Sequence, residues 1–324
     1  MSVATPDYVA PSWCPGGHLQ TVVAARFLPR PKVTYRRERV ELPDGDFMLW
    51  DWAEPEPLDE NAPVLVHFHG LEGDSQSHYA LALMDECTKR GWRGVVAMFR
   101  SCGGEINRLP RAYFAGDNDD CGFVLSSIHA RYPNAPMYAV GVSLGGNQLS
   151  HYLGQVGEDA NFLRAAVSIG APLDLVVGSE RMSKGVNVFY ENMFLKTLLV
   201  KLEEKSKMFP DIFKADEVAN VKTMYDFDNY YTARVHGFDN AMDYWTQCSA
   251  KPYLGGVRVP LLLLNAKNDP FFAAWALPKP NEVSSTVRLD FPTDGGHIGF
   301  PAGKRPGNIL YLPERVMRYF DTGL

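Results

Sequence analysis

Residues 137–154 read MYAVGVSLGGNQLSHYLG. The first part is a short, continuous apolar run of the kind carried by a strand buried on both faces; the part after the glycines has helical spacing. Between them Ser143 stands in the pattern G-x-S-x-G, Gly141 to Gly145. An ordinary glycine-rich bend would give the same letters. A strand before and a helix after instead select a sharp elbow, which strains the serine backbone and lifts its hydroxyl above the sheet. The N–H of Leu144, at the start of the helix, is then a candidate donor to an oxyanion.

The strand–helix alternation continues on both sides. Apolar runs recur at 64–70 (VLVHFHG), 94–100 (GVVAMFR), 165–171 (AAVSIGA), 260–266 (PLLLLNA) and 286–292 (TVRLDFP), with helical patterns such as HYALALMDECTKRG and CGFVLSSIHARY between them. This predicts an α/β fold with a mostly parallel central sheet and helices on both faces. Two further strands, KVTYRRERVEL and DFMLWDW, flank the turn residues PDG and are expected to pair antiparallel. The rhythm breaks between 171 and 260, where the amphipathic stretch GVNVFYENMFLKTLLVKLEEKSKMF precedes aromatic, polar sequence. The expectation is one domain over 1–324 with a mostly helical cap insertion at about 175–250; crossover helices packed on the sheet are the alternative. Phe189 and Phe194 in the cap are candidate selectors of an apolar substrate portion.

The 324 residues are 46% hydrophobic and 22% charged, with a formal net charge of −6. No stretch is strongly basic, so no nucleic-acid partner is expected. Five scattered cysteines without a CxxC pair suit a reducing compartment. The beginning of the sequence lacks the pattern of a secretory signal, and no apolar run approaches the roughly 20 residues that span a bilayer. A cytoplasmic protein without a transmembrane segment is expected. Its oligomeric state is not written in these patterns.

A serine hydroxyl needs a base to act as a nucleophile. His297, in DGGHIGF after the last predicted strand, is the best placed of eight histidines. The imidazole needs an acid to hold its tautomer, and Asp269, just after LLLLNAKN, is the candidate. Ser143, Asp269 and His297 thus follow the Ser–Asp–His chain order of α/β-hydrolases. Asp294 is the rival acid, although in TDGGH it suits a turn. Leu71, after His-Gly in HFHGLEG, is the candidate second oxyanion donor. His67 and His69 fall on one strand face but have no third ligand nearby. Neither a phosphate loop nor a dinucleotide fingerprint is present, so neither metal nor cofactor is expected.

Segments 11–22 (PSWCPGGHLQTV), 67–79 (HFHGLEGDSQSHY), 99–120 (FRSCGGEINRLPRAYFAGDNDD), 141–148 (GVSLGGNQ), 226–245 (DFDNYYTARVHGFDNAMDYW), 268–271 (NDPF) and 295–300 (GGHIGF) resemble the successive signatures of the YheT-like AB hydrolase family. The resemblance covers nearly the whole chain. It implies an α/β-hydrolase fold and a carboxylesterase with a Ser143–Asp269–His297 relay acting on a small-molecule ester, lipid-like in some relatives. Eukaryotic members act on lipid esters or transfer medium-chain acyl groups to alcohols. Acyl transfer is therefore the alternative enzyme reading, and a ligand-binding protein on a disabled hydrolase scaffold is the alternative outside enzymes. The commoner form RGCSGE appears here as RSCGGE, Arg100–Glu105. His18, Asn107, Arg111, Tyr113 and Asp228 match without an assigned chemistry: His18 is expected near the site mouth, and the other four are expected to hold the loop after VVAMFR. The neighbours of Cys102 give no reason for a lowered pKa.

Overall fold

The computed structural model describes residues 8–324. Eight strands form one sheet: β1 Arg36–Glu41, β2 Phe47–Ala53, β3 Val64–Phe68, β4 Arg93–Met98, β5 Met137–Val142, β6 Leu163–Ile169, β7 Leu261–Leu264 and β8 Val287–Asp290. Their spatial order is β1-β2-β4-β3-β5-β6-β7-β8. β1 and β2 pair antiparallel around the expected turn, as do β2 and β4, and all remaining pairs are parallel. Every apolar run named above becomes a strand. The central ones are buried along their length, as an α/β sheet covered on both faces demands.

Helices fill the connections: α1 Gly17–Arg26, α2 His78–Lys89, α3 Asn118–Arg131, α4 Leu144–Val156 and, after the last strand, α11 Tyr311–Thr322. Between β6 and β7 the sheet receives no strand. This segment instead carries α5 Leu175–Met182, α6 Val188–Met208, α7 Ala215–Val218, α8 Met224–Phe227, a π-helical turn Asp228–Thr232, α9 Ala233–His236 and α10 Ala241–Cys248. It packs an apolar cluster of its own around Leu198, Leu202, Phe213, Phe227 and Tyr231, with Leu71 of the loop after β3 against it. No helix among the described residues is long and apolar enough to cross a membrane.

The topology also fixes where a site can form. β3 neighbours β5 on one side and β4 on the other, so the winding reverses between β3 and β5 and opens a crevice at their carboxyl ends. Phe68 pairs in register with Gly141, so the loops after both strands leave the sheet at one level. One loop carries Gly70 and Leu71, and the other carries Ser143.

Candidate active site

Ser143 links β5 directly to α4 with φ 53° and ψ −118°, a left-handed conformation that non-glycine residues seldom adopt. Its own N–H donates to the Ile169 carbonyl at 2.8 Å, which ties the elbow to β6. The flanking glycines are there for space. A Cβ on Gly141 would lie 2.3 Å from the Gly145 carbonyl oxygen, and one on Gly145 would lie 2.5 Å from the Phe68 and His69 carbonyl oxygens. The tight turn therefore requires both.

The hydroxyl heads a continuous hydrogen-bonded chain. Ser143 Oγ lies 3.0 Å from His297 Nε2, and His297 Nδ1 lies 2.8 Å from Asp269 Oδ2. Asp269 is 1% exposed, and its other oxygen accepts the Phe271 N–H at 2.7 Å. The carboxylate thus holds Nδ1 protonated and leaves Nε2 as the acceptor facing Ser143. The Phe271 ring stacks on the imidazole, with centroids 4.0 Å apart. Asp294 is directed elsewhere. Its Oδ1 accepts from Asn268 Nδ2 at 2.8 Å and from Gln20 Nε2 at 3.5 Å, so it braces the turn.

Leu144 is the first residue of α4, and its N–H has no carbonyl one turn earlier to accept it. Gly70 brings the β3 loop against the serine, since a Cβ there would lie 3.2 Å from Ser143 Cβ. Leu71 and Leu144 both line the cavity that contains Ser143 and His297. The next residue, Glu72, is held by both backbone and side chain. At φ 55° its N–H donates to Tyr113 Oη at 3.0 Å, while its carboxylate accepts the Tyr113 hydroxyl at 2.7 Å and Lys201 Nζ at 2.6 Å. Lys201 lies on α6, so an ion pair shielded from solvent joins the helical segment to the loop that carries Leu71.

Two cavities meet at Ser143. The inner one, of about 140 Å³, runs beneath the β6–β7 helices and is lined mainly by apolar side chains, including Leu175, Met182, Leu198 and Phe227. The outer one, of about 510 Å³, opens between α1, α6 and the β3 loop. Phe194, Phe271, Leu71, Ser143 and His297 border both. Phe189 borders only the outer one and is 69% exposed, so Phe194 is the better placed of the two expected selectors. Asp228 also lines the inner cavity. It departs from expectation: its partners are Thr232 Oγ1 and Trp245 Nε1 within the helical segment, not the loop after β4. Burial raises its carboxyl to about 6.

Asn107 and Arg111 do brace that loop. Fully buried Asn107 bonds the side chains of Ser101 and Asp46, and Arg111 bonds Asp117 at 2.8 Å. Tyr113, the third residue expected there, reaches instead to Glu72. The RSCGGE variation also acquires a physical meaning. Ser101 occupies φ 62°, a conformation suited to the glycine of the commoner form, and its hydroxyl is taken up by Asn107. Gly103 stands where a Cβ would lie 2.7 Å from Met98 Sδ. His18 sits beside the outer cavity wall, its Nδ1 3.2 Å from the Tyr190 hydroxyl. Burial raises the Cys102 thiol to about 12.

His67 and His69 are both fully buried, and backbone groups engage them. His67 Nδ1 lies 3.2 Å from the Val140 carbonyl; His69 Nδ1 lies 2.7 Å from the Gly70 carbonyl, and its Nε2 accepts the Phe99 N–H at 3.1 Å. Desolvation lowers them to about 3 and about 4, so both stay neutral at ordinary pH. Among the described residues no group of three or more His, Cys, Asp or Glu could hold a metal.

Gln20 and Thr21 have a role that sequence reasoning missed. Gln20 Oε1 accepts the Gly295 N–H at 2.8 Å, and Thr21 Oγ1 accepts the His297 N–H at 2.8 Å. Helix α1 therefore clasps the histidine loop. Both residues lie in the stretch 11–22 that carried the resemblance, which was the one available signal.

A strained serine elbow after the fifth strand, with acid and histidine following the seventh and eighth, defines the α/β hydrolases. The chain belongs to this class: residues 63–303 match the family model described as alpha/beta hydrolase fold. Within the class it belongs to the YheT-like family. It is 38% identical to "Putative esterase YheT" of Escherichia coli (strain K12) over 95% of this chain and 91% of that one. It is also 32% identical to "Phospholipase ABHD3" of Homo sapiens over 98% of this chain and 79% of that one. Among solved structures, the Pyrococcus furiosus esterase Pf2001 shares the fold with a TM-score of 0.55 at 15% identity, over 98% of this chain and 97% of that chain.

Proposed function

We propose that the protein hydrolyses carboxylic esters through an acyl-serine intermediate, with an apolar short- to medium-chain acyl group in the inner cavity. The observation that carries this reading is the continuous relay from Ser143 Oγ through His297 to buried Asp269. His297 Nε2 takes the hydroxyl proton as Ser143 Oγ attacks the ester carbonyl. The tetrahedral oxyanion receives the N–H groups of Leu144 and Leu71. Collapse breaks the C–O bond, and the proton on Nε2 passes to the departing alcohol. Water then repeats the sequence: His297 takes its proton, hydroxide adds to the acyl carbon, and Ser143 leaves reprotonated. Asp269 remains ionised throughout and stabilises the imidazolium.

The segment around 175–250 serves in this reading as the cap that sets acyl preference. The support is its apolar lining of the cavity above Ser143, together with relatives named as an esterase and a phospholipase. The test is a series of p-nitrophenyl esters of increasing chain length, with fluorophosphonate labelling of the wild type and of Ser143→Ala. Graded preference across the series and loss of labelling in the variant are expected. A variant that still hydrolyses the esters at the wild-type rate would overturn the assignment.

A further inference from the structure

The outer cavity has an unusual rim. Phe27, which caps the end of α1, is 73% exposed although it borders the opening; Phe189 and Met193 on α6 border the same opening and are 69% and 37% exposed. The two helices adjoin there, with Arg26 Nη2 3.5 Å from Met193 Sδ. Helical spacing carries the outward face of α6 on from Phe189 and Met193 to Lys196 and Val200, both exposed. Large apolar side chains held in water around a cavity mouth mark an interaction surface.

The charges on this rim identify what it meets. Arg26 and Arg30 border the opening, and among the described residues neither has a carboxylate partner. Arg30 contacts only the Ala25 and Gln76 carbonyls. Of the two rim acids, Glu72 is paired with Lys201, while Asp74 accepts only the neutral Gln76 N–H, so the two unpaired arginines outnumber one unpaired carboxylate. A chain with net charge −6 thus presents unpaired cations beside exposed aromatic rings at one place, and that place leads to Ser143. Cations interleaved with Phe and Met on a helical face match an anionic lipid surface, where the rings enter the headgroup boundary and the arginines meet lipid charge.

We infer that the α1–α6 rim docks on anionic lipid surfaces and delivers an ester lipid from the bilayer through the outer cavity to Ser143. The delivery step deepens the hydrolase reading and rests on it; the docking step does not. Sedimentation with vesicles of equal parts phosphatidylglycerol and phosphatidylcholine tests the docking, with phosphatidylcholine alone and raised salt as comparisons. The wild type is expected to pellet with the anionic vesicles and to be released by salt. Arg26→Gln and Arg30→Gln should each weaken partitioning about fivefold, and Phe27→Ser about tenfold. Hydrolysis of soluble p-nitrophenyl butyrate by all three should match the wild type. Ser143→Ala should pellet like the wild type, so a failure of the hydrolase reading would appear in the ester assay while binding remained. The inference is overturned if the wild type ignores anionic vesicles or if the three variants partition unchanged. It is equally overturned if sedimentation equilibrium shows a dimer that Phe27→Ser dissociates, because the rim would then be a self-association surface.

Discussion

Replacing Asp269 and Asp294 separately by asparagine divides the relay from its scaffold. Both carboxylates lie near His297 in the chain or in space, but only Asp269 touches its ring, at 2.8 Å. In Asp269→Asn the amide can still fill the buried pocket and accept the Phe271 N–H through its oxygen. Its NH₂ group then faces Nδ1 as a donor. The imidazole is driven to the tautomer with its proton on Nε2, which points at Ser143 and cannot accept the hydroxyl proton. A loss of roughly 10⁴ in kcat is expected, about 5.4 kcal/mol of transition-state stabilisation at 1.36 kcal/mol per tenfold. In Asp294→Asn the side-chain oxygen can keep its contact with Asn268 Nδ2, at 2.8 Å in the native protein. The cost there should stay within about 0.5 kcal/mol, or roughly twofold in rate. Steady-state hydrolysis of p-nitrophenyl butyrate by the two purified variants decides between them, with circular dichroism to verify folding. A small loss in the first and a large one in the second would refute the assignment of the orienting acid.

Four further outcomes are expected. Ser143→Ala should abolish ester hydrolysis and leave the thermal unfolding midpoint near that of the wild type; an active variant would remove Ser143 as nucleophile. Tyr113→Phe, which deletes the hydroxyl holding Glu72, should lower kcat about tenfold with KM unchanged, a fraction of the 10²–10³ lost with a whole oxyanion donor, and a rise in KM alone would count against it. Phe194→Ala should shift preference among ester chain lengths by about 1–3 kcal/mol per methylene, and equal loss for every ester would mean general destabilisation instead. His67, His69 and His78 are held below their ordinary 6.5, at about 3, 4 and 4, so the unfolded chain binds more protons just below that pH. Stability should therefore fall as pH drops from 6.5 toward 4, by roughly 2 kcal/mol per histidine near pH 5, and a urea midpoint that stays flat across this range would contradict the burial argument.

The sheet was legible because its central strands are apolar on both faces and are punctuated by turn residues, and β7 is simply Leu261–Leu264. The proximity of Ser143, Asp269 and His297 was legible because elbow, acid and histidine each follow such a strand in a known order. The couplings between distant segments were not. Glu72 and Lys201 are 129 residues apart, and neither periodicity nor a local motif marks their pairing. Asp228, expected to hold the loop after β4, was misread for the same reason: the π-helical turn directs it to Trp245 within the helical segment. The two cavities likewise depend on how α1 and α6 approach one another, which only tertiary packing determines.

The clasp of α1 on the histidine loop ties the two ends of the described chain together at the site. Thr21 and His297 are 276 residues apart, so this contact closes one of the longest loops in the chain. Such contacts are entropically costly to make early in folding. In the proposed relay, the backbone of the residue that would accept the Ser143 proton is thus held by a segment from the opposite end of the sequence.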